Sequence, residues 1–165
     1  MTHPKPRPFT LDELRAYLAE IFPEFWKDGD LRIEDIAPMS ATLRLIHHPR
    51  HLRPGGTISG PAMFAVCDAA LFVAILSEMG PVAHAVTTSA SINFLRKPAP
   101  ADLIGKATLI KLGKRLAVGE VALYAGARAR WSSMRPGPIR SLSAAKPSRH
   151  DRAVALLRGR RAQSF

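Results

Sequence analysis

The chain has a single cysteine, Cys67, among its 165 residues. One thiol excludes an internal disulfide framework and a multi-cysteine metal site. Long apolar runs are missing too. The longest, Pro61–Leu76, has 16 residues and contains an aspartate, whereas a membrane span needs about 20 apolar residues. Met1–Thr10 is proline-rich and polar, with no apolar segment of the kind a signal peptide carries. A cytoplasmic location with no membrane partner is therefore expected. Acidic residues are scarce at one end. Residues 128–165 hold ten Lys/Arg against one acid, Asp151, while residues 1–127 hold 14 against 12. The net charge of +11 thus belongs mostly to the tail. No aromatic stacking platform accompanies those charges, so no specific nucleic-acid recognition is expected. Non-specific polyanion binding is the role the tail could have.

What is present suits one soluble domain with its own core: 47% apolar residues and a mean hydropathy of -0.01. Thr10-Leu-Asp-Glu13 reads as a capping box opening a helix over about 11–22, ended before Pro23. Ile33–Ala37 and Ala41–His47 read as strands joined by a turn at Met39-Ser40. Arg50–Gly56 is a basic loop ending in Pro-Gly-Gly. Pro61 suits the first position of a helix, and Ala62–Leu76 is apolar at every position but Asp68. Gly80 suits its end. A helix apolar on all faces is expected to be buried. Strands follow at Ala85–Phe94, Leu103–Lys111 and Leu116–Tyr124, with a hairpin turn at Gly113-Lys114. The predicted class is α+β, an antiparallel sheet curled on one long helix, with an extra helix at the N-terminus.

Asp68 is the residue that stands out. An ionised carboxylate inside a buried helix costs several kcal/mol unless paired or hydrogen-bonded, and no Lys or Arg lies within one turn of it. It is either satisfied structurally or a functional group. Gly55–Pro61 leads into the helix, where free N–H groups and the positive dipole end could stabilise an oxyanion; a capped turn is the plainer reading. Asp68 lies about 12 Å along the axis from Gly60 at 1.5 Å per residue, so one chain does not bring the two together. Cys67 with His47, His48, His51 or His84 is a weak nucleophile-and-base pattern, because a thiol in an apolar helix is usually inert. His47, His48 and His51 lack a neighbouring carboxylate in the loop, so no metal site is expected.

The run Leu52–Tyr124, with RPGGTISGPAMFAVCDAALFVA and VTTSASINFLRKPAPADLIGKATLIKLGKRLAVGEVALY, resembles the PaaI-type (phenylacetate-degradation) branch of the hotdog-fold acyl-CoA thioesterases. The resemblance implies a hotdog fold, a homodimer or dimer of dimers, acyl-CoA as substrate, no cofactor and no metal. Gly56 matches the first glycine of the family motif. Gly60 matches the glycine whose N–H polarises the thioester carbonyl. Asp68 matches the acid nine residues after the histidine position, and Thr87 the Ser/Thr that orients water. Gly113, Lys114 and Arg115 fall where the family meets the CoA moiety. The usual Asn and His positions hold Arg53 and Ser59, and the second glycine of the motif is Pro61. Substrate positioning then rests on Ser59, Arg53 or the backbone. The alternative is an acyl-CoA-binding protein without turnover.

Two segments follow from this: a hotdog domain over 1–127 and a basic, disordered tail over 128–165, with a short amphipathic helix possible at Ala153–Leu157. The family adds a last strand with a pattern like His-Ala-Thr-x-x-Tyr-Ser-Ile-Pro, which the tail lacks. Read from the third base of Arg130, however, codons for Trp131–Leu142 can encode Val-Val-Gln-His-Ala-Thr-Gly-Pro-Tyr-Ser-Ile-Pro. A one-base slip from about residue 128 is one reading, and would make the chain an inactive product of a thioesterase gene; a genuine basic extension is the other. The coding DNA decides between them. The slip predicts an alternate frame open through this strand, and a stop codon or unrelated residues there would exclude it.

Overall fold

The computed structural model of the chain describes residues 8–26, 28–81, 85–113 and 116–126, together with the backbone of 155–159. Helix α1 spans Leu11–Ile21. It starts where the capping box places it: Thr10 Oγ1 accepts the Glu13 N–H at 3.3 Å, and the Glu13 carboxylate accepts the Thr10 N–H at 2.9 Å. Leu14 and Leu18, one turn apart, are its buried residues. A single turn, α2 (Pro23–Trp26), follows. Strands β1 (Leu31–Ala37) and β2 (Ser40–Leu45) form a hairpin through Pro38-Met39. Met39 has φ +58°, a conformation that is uncommon outside glycine. Its neighbours hold it there. The Met39 N–H donates to Glu78 Oε1 at 2.6 Å, and its carbonyl accepts the Leu109 N–H at 2.7 Å.

After a 3-10 turn at Pro49–His51 come the short strands β3 (Leu52–Arg53) and β4 (Thr57–Ile58), which pair with each other. Helix α3 spans Gly60–Met79 and ends on Gly80 at φ +74°. Strands β5 (Ala85–Ser89), β6 (Leu103–Leu112), β7 (Ala117–Ala125) and β8 (Ala155–Gly159) complete the sheet, whose order is β1-β2-β6-β7-β8-β5 with antiparallel neighbours throughout. α3 lies across β1, β2, β6 and β7. Two glycines let it sit close. A Cβ on Gly105 of β6 would come within 2.6 Å of Val66 Cγ1, and one on Gly119 of β7 within 2.5 Å of Leu71 Cδ2. The alternating residues Leu43, Leu103, Ala107, Leu109, Val121 and Leu123 meet Val66, Ala70, Val73 and Ala74 in one core.

This is the α+β hotdog arrangement expected from the sequence, with four differences. First, the N-terminal half of α3 leaves one face open, while Val73–Ser77 are buried on every side. Pro61, Phe64 and Asp68, on one helical face, are exposed, because no described element covers that face in the first half of the helix. Second, α3 is 20 residues long and contains an 18-residue window with a mean hydropathy of 1.9, so length and composition alone would let it cross a membrane. The 16-residue count missed this by stopping at Leu76; packing against the sheet is what marks α3 as a core helix. Third, the strand expected over Ala85–Phe94 ends at Ser89. Its partner β8 pairs only as far as Ser89, and without a ladder the Thr/Ser-rich run does not stay a strand. Fourth, Ala155–Gly159 is a strand between β7 and β5, not disordered chain or part of a helix. Open backbone groups on both neighbours override the local pattern. The rest of the 128–165 segment, and with it the region of the frame question, lies outside the described residues.

The close approach of α3 gives a stability prediction. Gly119→Ala and Gly105→Ala should each lower unfolding free energy by about 1–3 kcal/mol through overpacking. Gly126→Ala, where a Cβ meets nothing within 4 Å, should stay within about 0.5 kcal/mol of wild type. Equilibrium urea unfolding of the three variants measures this.

Candidate active site on the central helix

The approach to α3 is a clamped hairpin. The Arg53 carbonyl accepts the Gly56 N–H at 3.1 Å around Pro54-Gly55, with Gly55 at φ +96°. Pro then Gly at the two central positions suits a type II turn. Gly56 follows at φ +69°. The pairs Leu52–Ile58 and Arg53–Thr57 continue the hairpin, and the Ser59 N–H donates to the His51 carbonyl at 2.8 Å. Ser59 is then the N-cap of α3. Its Oγ accepts the Ala62 N–H at 3.3 Å, and its carbonyl accepts the Met63 N–H at 3.1 Å. Pro61 has no N–H to offer. Gly60 therefore supplies the first N–H of the helix, one that has no partner within the helix itself. A Cβ on Gly60 would touch the Phe94 ring at 3.6 Å.

Asp68 lies two turns further along, on the uncovered face. Its Oδ1 accepts a hydrogen bond from Thr87 Oγ1 of β5, so these two predicted site residues are neighbours. Both are exposed in the single chain, so the burial cost expected for Asp68 does not arise there. Large apolar side chains are exposed too: Phe64, on the same helical face, is 43% exposed, and Phe94, whose ring lies beside Gly60, 56%. The Gly60 end of the helix and the Asp68–Thr87 pair stay apart within one chain, at about 12 Å along the axis. Arg53 and Gly56 lie at the hairpin tip beyond the helix start. Gly113 opens the β6–β7 connection, its N–H donating to the Leu116 carbonyl at 2.9 Å. Lys114, Arg115 and His84 lie outside the described residues.

The Cys/His arrangement finds no support. Burial pushes the Cys67 thiol up to about 12, with the Asp68 carboxylate adding to the effect. His48 Nδ1 accepts the Arg50 N–H at 3.2 Å as the cap of the 3-10 turn, and the His47 N–H donates to Asp102 Oδ1 at 2.9 Å. Two charged clusters escaped the sequence reading because their members are distant in the chain. Arg44 pairs with Glu34 and, at 3.1 Å, with Asp102 on the outer face of the sheet; the Glu34 hydrogen bond, chiefly, raises its pKa against the cost of burial. Arg50 bridges Asp28, at 3.0 Å, and Asp30 beside His51.

Comparison with known proteins begins from this geometry. A candidate thioesterase from Silicibacter sp. TM1040 shares 44% sequence identity, over 76% of this chain and 86% of that one, with a TM-score of 0.67. The chain belongs to the thioesterase superfamily. The family model of that superfamily matches residues 55–131, a span that includes the Gly56 turn, α3 and β5 to β7. More distant thioesterase-like structures share the fold. The Escherichia coli PaaI protein from the phenylacetic acid degradation operon is 18% identical over 88% of this chain and 92% of its own, with a TM-score of 0.58. A hypothetical thioesterase from Streptococcus pneumoniae TIGR4, solved with coenzyme A, is 16% identical over 93% and 100%, also at 0.58. No curated protein matches the chain.

As a thioesterase-superfamily member without a reactive thiol, the protein should resist thiol labelling while folded. At pH 8, 5,5'-dithiobis(2-nitrobenzoate) should leave Cys67 unmodified in buffer and titrate one thiol in denaturant. Stoichiometric labelling of the native protein at the rate of a free thiol would contradict the burial described.

Proposed function

We propose that the protein hydrolyses acyl-CoA thioesters to free acid and CoA at a site assembled between two copies of the chain. The observation that carries this reading is the Asp68–Thr87 pair on the uncovered face of α3. A carboxylate held by a hydroxyl is suited to take a proton from water or to attack directly. Thr87 would orient the water. The oxyanion donor, the Gly60 N–H, would come from the second copy, since within one chain it is about 12 Å away. Water attack forms the new C–O bond as Asp68 takes the water's proton, and the Gly60 N–H stabilises the oxyanion by hydrogen bonding. The C–S bond then breaks with that proton passing to the leaving sulfur, so CoA departs as its thiol. If Asp68 attacks directly, a water then hydrolyses the resulting anhydride.

The exposed Phe64 and Phe94 would be covered in a homodimer or dimer of dimers. β5 ends the sheet order, so its outer edge is unpaired among the described residues. Two such edges related by a two-fold axis can pair with each other. Arg53 and Gly56 at the hairpin tip, and Gly113, Lys114 and Arg115 in the β6–β7 connection, would position the substrate and meet the CoA phosphates. The coenzyme A held by the Streptococcus pneumoniae protein supports CoA as the carrier. A cytoplasmic location belongs to the same proposal.

One observation favours a second reading. Ser59 stands where the family has histidine, and its oxygen is engaged as the helix cap. An acyl-CoA-binding protein without turnover would fit that replacement. A panel of acyl-CoA thioesters, followed by thiol release, separates the two. Hydrolysis is expected, with kcat in Asp68→Asn lower by about 10²–10⁴-fold. Thr87→Ser should retain activity and Thr87→Val should lose part of it. Binding without thiol release would establish the second reading, and full activity in Asp68→Asn would remove Asp68 from the mechanism.

A further inference from the structure

The start of α3 is anchored through one histidine that the proposed chemistry does not use. His51 closes the hairpin that leads into the helix, its carbonyl accepting the Ser59 N–H at 2.8 Å. Its own N–H donates to the His48 carbonyl at 2.9 Å. The imidazole, 15% exposed, is wedged against the ion cluster at the start of β1. Nε2 lies 3.4 Å from Asp30 Oδ2 and 3.4 Å from Arg50 Nε. Nδ1 is buried and makes no hydrogen bond. Beside the ring is a pocket of about 160 Å³ lined by Asp28, Asp30, Arg50 and, from α3, Ala62, Ala65 and Val66.

The ring is balanced between opposite charges. In its neutral form Nε2 can accept from the Arg50 Nε–H. A protonated ring cannot, since both its nitrogens are then donors. A neutral ring that accepts at Nε2 carries its one proton on Nδ1, so protonation adds a proton at Nε2; this would turn Nε2 from Arg50 towards Asp30 and set an imidazolium beside a guanidinium. The charged and titratable groups around the ring are Asp30, Arg50 and His48, with Asp28 reached through Arg50; α3 adds only apolar side chains.

We infer that His51 is a positioning residue for the start of α3: its neutral ring holds the Ser59 backbone and the Gly60 N–H in place, and protonation of the ring loosens that hold. The inference rests on the proposed role of the Gly60 N–H. The direction of titration agrees with the geometry. Burial, helped by Arg50 and His48, lowers the pKa of His51 below its ordinary 6.5, while Asp30 and the Ile46 backbone oppose this. The unfolded chain therefore binds the proton more readily. The stabilisation from neutral His51 is complete above about pH 6.5 and is lost as pH falls towards the folded-state pKa.

Two measurements on the full chain test this. The first is amide hydrogen exchange at Ser59–Met63 between pH 7.5 and pH 5, corrected for the intrinsic exchange rate. Protection in the wild type should fall several-fold across this range. In His51→Gln, whose amide does not titrate there, and in His51→Asn as a second variant, it should stay level. The second is the pH profile of acyl-CoA hydrolysis. The wild type should lose kcat on the acid side with KM little changed, and His51→Gln should lack that part of the acid limb. Protection in the wild type that does not change with pH would overturn the inference. So would the same pH dependence in wild type and variants. A ring that acted only as packing would lower protection in the variants at every pH and leave the slope unchanged. If exchange behaves as expected but no acyl-CoA is hydrolysed, the proposed reaction fails while the positioning role stands.

Discussion

The distance at which α3 rides on the sheet sets the rest of the structure. Gly105 and Gly119 present bare backbone to Val66 and Leu71, so the helix settles where any side chain would hold it off. With the helix that close, the small residues Ala70 and Ala74 take part in the core between helix and sheet. The same packing fixes which helical face looks outward. Val66, Ala70, Val73 and Ala74 point to the sheet, and Phe64 and Asp68 are left on the far side. The position of the carboxylate is thus a consequence of two glycines in other strands.

Each end of α3 is held by a different device. At the C-terminal end, Glu78 accepts the N–H of Met39, which ties the β1–β2 turn to the helix, and the Met39 carbonyl ties that turn to β6. A residue with positive φ persists there because its neighbours on both sides fix it. At the N-terminal end, the hairpin of β3 and β4 closes on the pair His51–Ser59, and Ser59 then caps the helix. The charged groups Asp30 and Arg50 hold the far side of that hairpin. The first N–H of α3 therefore has a fixed location while remaining free of intrahelical bonds, as a donor to a reacting oxygen would need to be.

Electrostatics on the two faces of the sheet differ in kind. On the outer face Arg44 is enclosed by Glu34 and Asp102, a paired arrangement that holds the strand ends together. On the helix side Asp68 has a partner on β5, and that partner is a hydroxyl, not a cation. A carboxylate bonded to a neutral donor keeps its charge available. Such a group can take up a proton in a reaction more readily than one locked to a guanidinium.

Much of this was legible in the chain. The capping box set the start of α1, the apolar run located α3, and the Pro-Gly-Gly turn marked the entry to it, because each depends on residues within a few positions of one another. The spacing of Gly60 and Asp68 along one helix was equally readable, since 1.5 Å per residue fixes it. What the sequence misjudged was contact between distant segments. Composition made α3 look buried all round, yet its first half leaves the Pro61–Phe64–Asp68 face open. Thr and Ser made 85–94 look like one strand, yet pairing stops at Ser89. Residues 155–159 carried no strand pattern, and their conformation follows from neighbours that offer unpaired backbone. His51 lay in a stretch that reads only as a basic loop, and Asp30, 21 positions earlier, meets it only in the fold. The sequence alone determined the local elements and the chemistry each one carries. Tertiary structure alone decided which faces are covered and which charges meet, because burial and pairing depend on segments that no local pattern relates.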